Sequence, residues 1–245
     1  MKVIFSGLED SGKSYKLAQA SIALVYRNAK WAKMGLKPRE IVSVLPYKVP
    51  FLEWAAELGV PIVDWSQSRT VIEDLEDLAH VDLILDEVGT YFDVRTFKDL
   101  PLSTRLWLAQ ASKLGVDIYG GAQDFAQVDL AFRRLTNELY EITKLIGSPR
   151  PDITRPVVDT VWGVCMMRQL DPKGYDEQKK KFASSGFPQF FFLQKKICEV
   201  FDTNKRVPKG VFPPYKHIER RCIIPNCRME RHVVREGQHY QITHA

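Results

Sequence analysis

Residues 2–14 restrict this chain more than any other stretch of it. An apolar run, Lys2-Val3-Ile4-Phe5, leads into Gly7-Leu8-Glu9-Asp10-Ser11-Gly12-Lys13-Ser14, and a helical spacing of apolar residues begins at once. Strand, glycine loop and helix in that order, with the spacing G-x-x-x-x-G-K-[ST], make a phosphate-binding loop. Gly7 and Gly12 let the backbone turn where a side chain would collide. Successive N–H groups then point at one place, and the start of the helix adds partial positive charge. Lys13 has the length to reach the β and γ phosphates of ATP, and the Ser14 hydroxyl suits Mg²⁺. The expected nucleotide-binding set is Gly7, Ser11, Gly12, Lys13, Ser14 and Tyr15. Glu9 and Asp10 bring two acids close to that phosphate position, and they are harmless only if their side chains face solvent.

A partner motif follows at Val81-Asp82-Leu83-Ile84-Leu85-Asp86-Glu87, a short apolar strand pattern that ends in two acids. This is Walker B chemistry. Asp86 at the strand tip suits the hydration shell of Mg²⁺, so Ser14 and Asp86 are the expected metal pair, and Glu87 is placed to polarise an attacking water. Neighbouring residues on a strand face opposite ways, so the two acids can hold different jobs. Asp82 conflicts with a buried strand unless it sits at the strand's amino end.

The chain has 245 residues, 45% of them hydrophobic, enough to fill one α/β domain with an appendage. Its longest apolar stretches, Val157 to Met167 and Phe190-Phe191-Phe192-Leu193, fall well short of the roughly 20 residues of a membrane span, so no transmembrane helix is expected. The chain opens straight into its first strand without the apolar core of a signal peptide, so the expected location is cytoplasmic. Cys165, Cys198, Cys222 and Cys227 are too few and too uneven for a disulfide scaffold. Formal net charge is +5, yet Thr203 to Ala245 alone carries nine basic and three acidic residues. The positive excess therefore sits in the tail. It suits an acidic partner such as DNA, RNA or a capsid surface, and it equally suits a solvated tail.

Periodicity predicts a helix from Ser14 to about Met34 closed by Gly35, then a strand at Ile41 to Leu45 and a helix at Phe51 to Leu58. A strand at Pro61 to Val63 and a helix at Thr70 to Ala79 precede the Walker B strand. A helix at Leu102 to Leu114, a strand at Val116 to Gly120, a helix at Phe125 to Glu138 and an apolar segment at Leu139 to Ile146 follow it. Alternation of this kind means βαβ units and a mainly parallel sheet with its ligands at the carboxyl edge. Beyond Gly147 the pattern changes. Pro149, Pro151 and Pro156 mark a linker, and Val157 to Met167 and Gln189 to Phe201 have strand character around a charged insert, Asp171 to Lys181. The expected fold is thus an α/β P-loop NTPase of RecA-like type. Its core is 1–146, an antiparallel extension occupies 147–202, and a basic Cys/His tail occupies 203–245.

The ordered motifs resemble the Zot-like (zonular occludens toxin-like) family of P-loop ATPases. These are assembly ATPases of filamentous phages, related to the FtsK–HerA group of DNA-pumping ATPases and to viral genome-packaging ATPases. The resemblance covers approximately Met1 to Thr203. It rests on Gly7 with Gly12-Lys13-Ser14, Asp86-Glu87, Phe92 and Arg95, Gly115-Val116-Asp117-Ile118 leading to Gln123, Arg133, and Phe201-Asp202-Thr203. It implies that Gln123 senses the γ-phosphate and orients water. It also implies that Arg133 or Arg134, and more remotely Arg95, is an arginine finger reaching a neighbouring subunit of a ring-shaped homo-oligomer. Two departures stand out: Ala111-Ser112-Lys113 replaces the His-Arg-His that such phage proteins often carry, and the membrane span and periplasmic segment of filamentous-phage members have no counterpart here. The implied role is a motor of virus morphogenesis that packages or translocates viral DNA, in the host cytoplasm or on the virion, with capsid or assembly proteins as partners. The alternatives are a filamentous-phage extrusion ATPase and a nucleotide-dependent nucleic-acid scaffold. A small-molecule kinase ranks last, because no Arg-rich lid sequence is evident.

In the tail, His217, Cys222, Cys227 and His232 recur every five residues around Pro225, a donor set that suits tetrahedral Zn²⁺ with spacings at the edge of common zinc motifs. Ordinary tail residues are the alternative.

Overall fold

The computed structural model describes residues 1–65, 75–93, 102–148, 162–176, 181–201, 217–219 and 233–235. Of the expected helix at Thr70 to Ala79, residues 75–79 form a turn and irregular chain rather than α-helix, and 70–74 lie outside the described residues. Arg95, the proline linker, Cys222, Cys227 and His232 lie outside them altogether. His217 opens one strand of a small pair, 217–219 against 233–235, in the tail.

The first strand, β1 (Lys2–Ser6), runs into α1 (Lys13–Lys33). The helix buries Leu17, Ala18, Leu24 and Val25 at helical spacing against the sheet, and it ends where Gly35 takes a left-handed conformation, φ +74°. Then come β2 (Glu40–Ser43), α2 (Val49–Glu57), β3 (Ile62–Asp64) and β4 (Val81–Leu85). Helix α3 (Leu102–Gln110), strand β5 (Asp117–Ala122), helix α4 (Leu130–Leu135) and strand β6 (Glu138–Ser148) complete the alternating part. Strands β7 (Trp162–Asp176), β8 (Lys181–Ser184) and β9 (Gln189–Phe192) and the short α5 (Lys195–Cys198) form the rest.

One nine-stranded sheet holds all of these strands in the order β3-β2-β4-β5-β1-β6-β7-β8, with β9 also on β7. Pairing is parallel from β3 to β6 and antiparallel from β6 onward. The architecture is therefore α/β with a mostly parallel sheet and an antiparallel extension. Cores lie on both faces: α1 and α2 cover one with Leu17, Val25 and Phe51, and α3 and α4 cover the other with Trp107 and Phe132. Strand β6 belongs to both halves of the sheet. Its first residues pair with β1, and Leu139 to Ser148 pair with β7, so the strand rises past the end of β1 as a wall beside the glycine loop.

Three further elements depart from the sequence reading. Phe125 to Glu138 is not one helix: Asp124 and Asp129 each accept the N–H two residues on, from Ala126 (2.9 Å) and Ala131 (2.6 Å). Each aspartate caps its own short turn, and Val128 is extended between them. Gln189 to Phe201 is strand only to Phe192. Leu193, Ile197, Val200 and Phe201 are buried at helical rather than alternating spacing, so the chain turns into α5. The charged stretch expected as an insert is partly strand, since β7 continues through Asp171 to Asp176 with a register shift.

Asp82 is a structural residue at the amino end of β4. Its carboxylate is fully buried and ion-paired with Arg27 and Arg39, the latter also 2.8 Å from Asp117. Burial pushes its pKa up, and the two guanidinium groups hold it down.

Candidate functional site

Two glycines shape the loop. A Cβ on Gly7 would stand 2.3 Å from the Ile142 carbonyl oxygen and 2.7 Å from Ser11 Oγ, so only glycine lets the loop press against the β6 wall. Gly12 has φ +104° and caps α1 without a side chain; Cys165 Sγ and Phe191 back it from the extension. Because Lys16 N–H is the first to bond back, to Gly12 O at 3.1 Å, the N–H groups of Lys13, Ser14 and Tyr15 have no partner within the helix. These free donors and the helix dipole form a ready anion site.

Side chains converge on it from α1 and the end of β4, and a backbone N–H joins them from the end of β5. The Lys13 ammonium is buried and donates to the carbonyls of Gly7 (2.6 Å) and Leu8 (2.8 Å). Burial lowers its pKa, while Glu87, Asp86 and, more weakly, Asp10 and Glu9 raise it. The Ser14 hydroxyl donates to Asp86 Oδ1 at 2.9 Å, joining residues 72 positions apart. Glu87 Oε1 accepts the backbone N–H of Gln123 at 3.3 Å. Burial pushes both acids above the ordinary carboxylate range. The Ser14 hydrogen bond and then Lys13 oppose that at Asp86, and the Gln123 N–H and then Lys13 oppose it at Glu87.

Strand β5 lies between β1 and β4, and its Gly120-Gly121 pair makes the acids' position possible. A Cβ on Gly121 would stand 2.2 Å from Asp86 O, and one on Gly120 would stand 2.2 Å from Val88 Cγ2. Sequence reasoning missed this role, although two adjacent glycines inside a strand pattern signal a close backbone approach.

Other sequence-expected residues are placed differently. Tyr15 has its ring in the core, stacked on Phe191, and its hydroxyl donates to Phe192 O (3.0 Å) and accepts from Gln194 N–H (3.3 Å). What Tyr15 can offer a ligand is its backbone N–H. Gln123 has an exposed side chain, and its backbone is what touches Glu87. Arg133 lays its guanidinium over the Tyr175 ring within its own chain, 5.5 Å from the centroid, whereas Arg134 is exposed. Glu9 is exposed and Asp10 is partly buried, with a left-handed φ of +58°. A cleft of about 510 Å³ opens beside the loop, lined by Gly7, Ser11 and Gln123 and by Glu141 and Arg168 of the hairpin wall. Among the described residues no group of three or more His, Cys, Asp or Glu is arranged to hold a metal, and no helix is long and apolar enough to cross a membrane.

The residues fit the phosphates of a nucleotide on two counts. Ser11 Oγ is buried with no hydrogen-bond partner among the described residues, and the α1 amino terminus has unpaired donors around Lys13. A parallel sheet with a glycine loop after its first strand, and an acid pair at the tip of a strand two places away, defines a P-loop NTPase fold. Within that class the fold is similar to solved structures of low sequence identity. It matches the N-terminal domain of zonular occludens toxin from Neisseria meningitidis at TM-score 0.50 and 16% identity, over 82% of this chain and 98% of that one. The genome packaging NTPase B204 from Sulfolobus turreted icosahedral virus 2 also matches. Its complex with ATP-gammaS gives TM-score 0.38 and 13% identity over 75% of this chain and 95% of that one, and its complex with AMP gives 0.42 and 12% over 74% and 95%. No protein-family model and no curated protein matches the chain.

Proposed function

We propose that this protein is a Mg²⁺-dependent ATPase that serves virus morphogenesis as a motor, packaging or translocating viral DNA. The observation that carries the catalytic part is the Ser14–Asp86 hydrogen bond, which joins the phosphate-binding loop to the acid pair. Ser14 and Asp86 would hold the metal, and Lys13 with the loop N–H groups would hold the β and γ phosphates. Bound there, Mg²⁺ would supply positive charge that offsets the negative charge of the phosphates. Glu87 is the base. Burial raises its affinity for a proton, and the Gln123 N–H holds Oε1 in place, so the carboxylate is oriented to accept a proton from water.

The viral role is supported by the family resemblance of the ordered motifs and by a fold shared with the toxin domain. The basic tail supports DNA as partner, with residues 1–202 as the ATPase unit and 203–245 as an appendage acting in the host cytoplasm or on the virion. A ring of identical subunits would let the exposed Arg134 reach a neighbour's nucleotide, a part that Arg133 on Tyr175 is poorly placed to play. Steady-state hydrolysis with and without DNA tests the reading. Mg²⁺-dependent turnover that DNA accelerates is expected. Nucleotide binding without turnover would instead favour a scaffold that ATP merely orders.

A further inference from the structure

The antiparallel half of the sheet has a surface that no described residue covers. Directly opposed residues of antiparallel strands point to the same side. The register therefore aligns Thr143, Met166 and Phe190 in one row and Ile146, Val164 and Phe192 in the next. On the other side of the same strands, Cys165 and Phe191 pack against the start of α1. The outward rows are apolar yet exposed: Ile146 is 56%, Phe190 61% and Phe192 69% accessible. Such a contiguous patch marks a contact surface. It descends into the cleft beside the loop, where the next row is Glu141 opposite Arg168.

The rim of that cleft is balanced in charge, with Glu9, Asp124 and Glu141 against Lys144, Arg168 and Lys181. Nucleic acid selects strongly basic surfaces, whereas an apolar centre with a mixed polar rim is the make-up of a protein contact. The chain carries a matching surface. Helix α3 buries Thr104, Trp107 and Leu108 and turns Leu102 (64% accessible) and Leu106 (52%) outward, four residues apart on one face, with Arg105 beside them.

We propose that α3 of a second copy seats on the Phe190–Phe192 face of the first, bringing its Arg105 to the acids of the cleft. The importance of this contact for turnover rests on the nucleotide-site reading above, but its formation does not. Two different patches meeting in this way make a heterologous contact, which either closes into a ring or runs on as a filament.

Two variants, each breaking one half, test it: Phe190→Asp with Phe192→Asp, and Leu102→Asp with Leu106→Asp. In sedimentation equilibrium the unaltered chain is expected above monomer mass and each variant alone at monomer mass. An equal mixture is expected to form a heterodimer of twice that mass, because one intact junction remains. Circular dichroism checks the fold, and serine replaces aspartate in any pair that fails to fold. A monomeric unaltered chain, a variant that still assembles alone, or a mixture that stays monomeric would each overturn the proposal. Mass is read without turnover, and Lys13→Ala is expected to assemble like the unaltered chain, so failure of the ATPase reading remains distinguishable from failure of this one.

Discussion

Replacing Asp86 with asparagine should move stability and ligand response in opposite directions. The amide keeps the shape of the carboxylate and an acceptor for the Ser14 hydroxyl, now 2.9 Å away. The charge assistance of that bond is lost, roughly 1 kcal/mol, together with the attraction to the Lys13 ammonium. Against this, burial is the largest influence on Asp86 and holds its pKa above the ordinary 3.8, so the carboxylate is worse off in the fold than in water. Burying a charge costs several kcal/mol before compensation, so removing it should raise the melting temperature of the ligand-free protein at neutral pH, by about 2–4 °C per kcal/mol gained for a chain of this size. The pH dependence has a definite sign. A carboxyl with a raised folded pKa binds its proton more tightly folded than unfolded, so the unaltered protein loses stability as pH rises from the ordinary value through the raised one. The Asp86→Asn protein should lack that part of the slope. With a magnesium nucleotide at about 100 times its Kd the unaltered protein should gain about 2.7 kcal/mol, and the variant should lose the Mg²⁺-dependent share. Thermal melts with and without Mg²⁺ and a non-hydrolysable ATP analogue read both effects. A variant that melts lower without ligand and keeps the full Mg²⁺-dependent shift would refute the assignment of Asp86.

Lys13→Ala should abolish nucleotide binding, whereas Glu87→Gln, which keeps an acceptor for the Gln123 N–H, should retain binding and lose about 10²–10⁴ in turnover; fluorescent-nucleotide titration and phosphate release separate the two. Asp82→Ala takes the buried carboxylate from Arg27 and leaves Arg39 paired with Asp117, and it should cost roughly 1–3 kcal/mol in urea unfolding, with nucleotide affinity unchanged in the folded fraction. Tyr15→Phe removes a hydroxyl that serves both Phe192 O and Gln194 N–H and should cost roughly 1–3 kcal/mol in the same assay; an accompanying loss of nucleotide affinity would show that the hydroxyl's bonds to β9 help to place the first turn of α1.

The parallel half of the fold is legible because each of its elements is punctuated locally. Gly35 and Gly59 both take the left-handed conformation just after α1 and α2, and β4 spans the run that its apolar residues mark out. The Ser14–Asp86 contact is legible for a related reason: each motif brings its own strand, and parallel strands deliver their ends to one edge. The insertion of β5 between β1 and β4 is different, since it follows from how the crossovers pack, and Gly120-Gly121 is a local trace of it in the sequence. Where local signals compete, periodicity misleads. Asp124 and Asp129 divide an apolar stretch into two capped turns, and the burial of Ile197 and Val200 needs a helical turn after β9. No spacing rule signals the cleft beside the loop, because Glu141 and Arg168 are single charged residues within strand runs that carry no further pattern.

The glycine loop is held from two sides, and the extension supplies one of them. From the parallel sheet, Asp86 takes the Ser14 hydroxyl. From the hairpins, Phe191 stacks on Tyr15 and lies under the Lys16 ammonium at 4.1 Å, Cys165 backs Gly12, and the Phe192 carbonyl accepts from Tyr15. The first turn of α1, whose free N–H groups form the anion site, is thus clamped between the acid pair and β9. Phe191 points inward to that turn while Phe190 and Phe192 point outward on the same strand. One four-residue strand thus faces both the exposed patch and the first turn of α1.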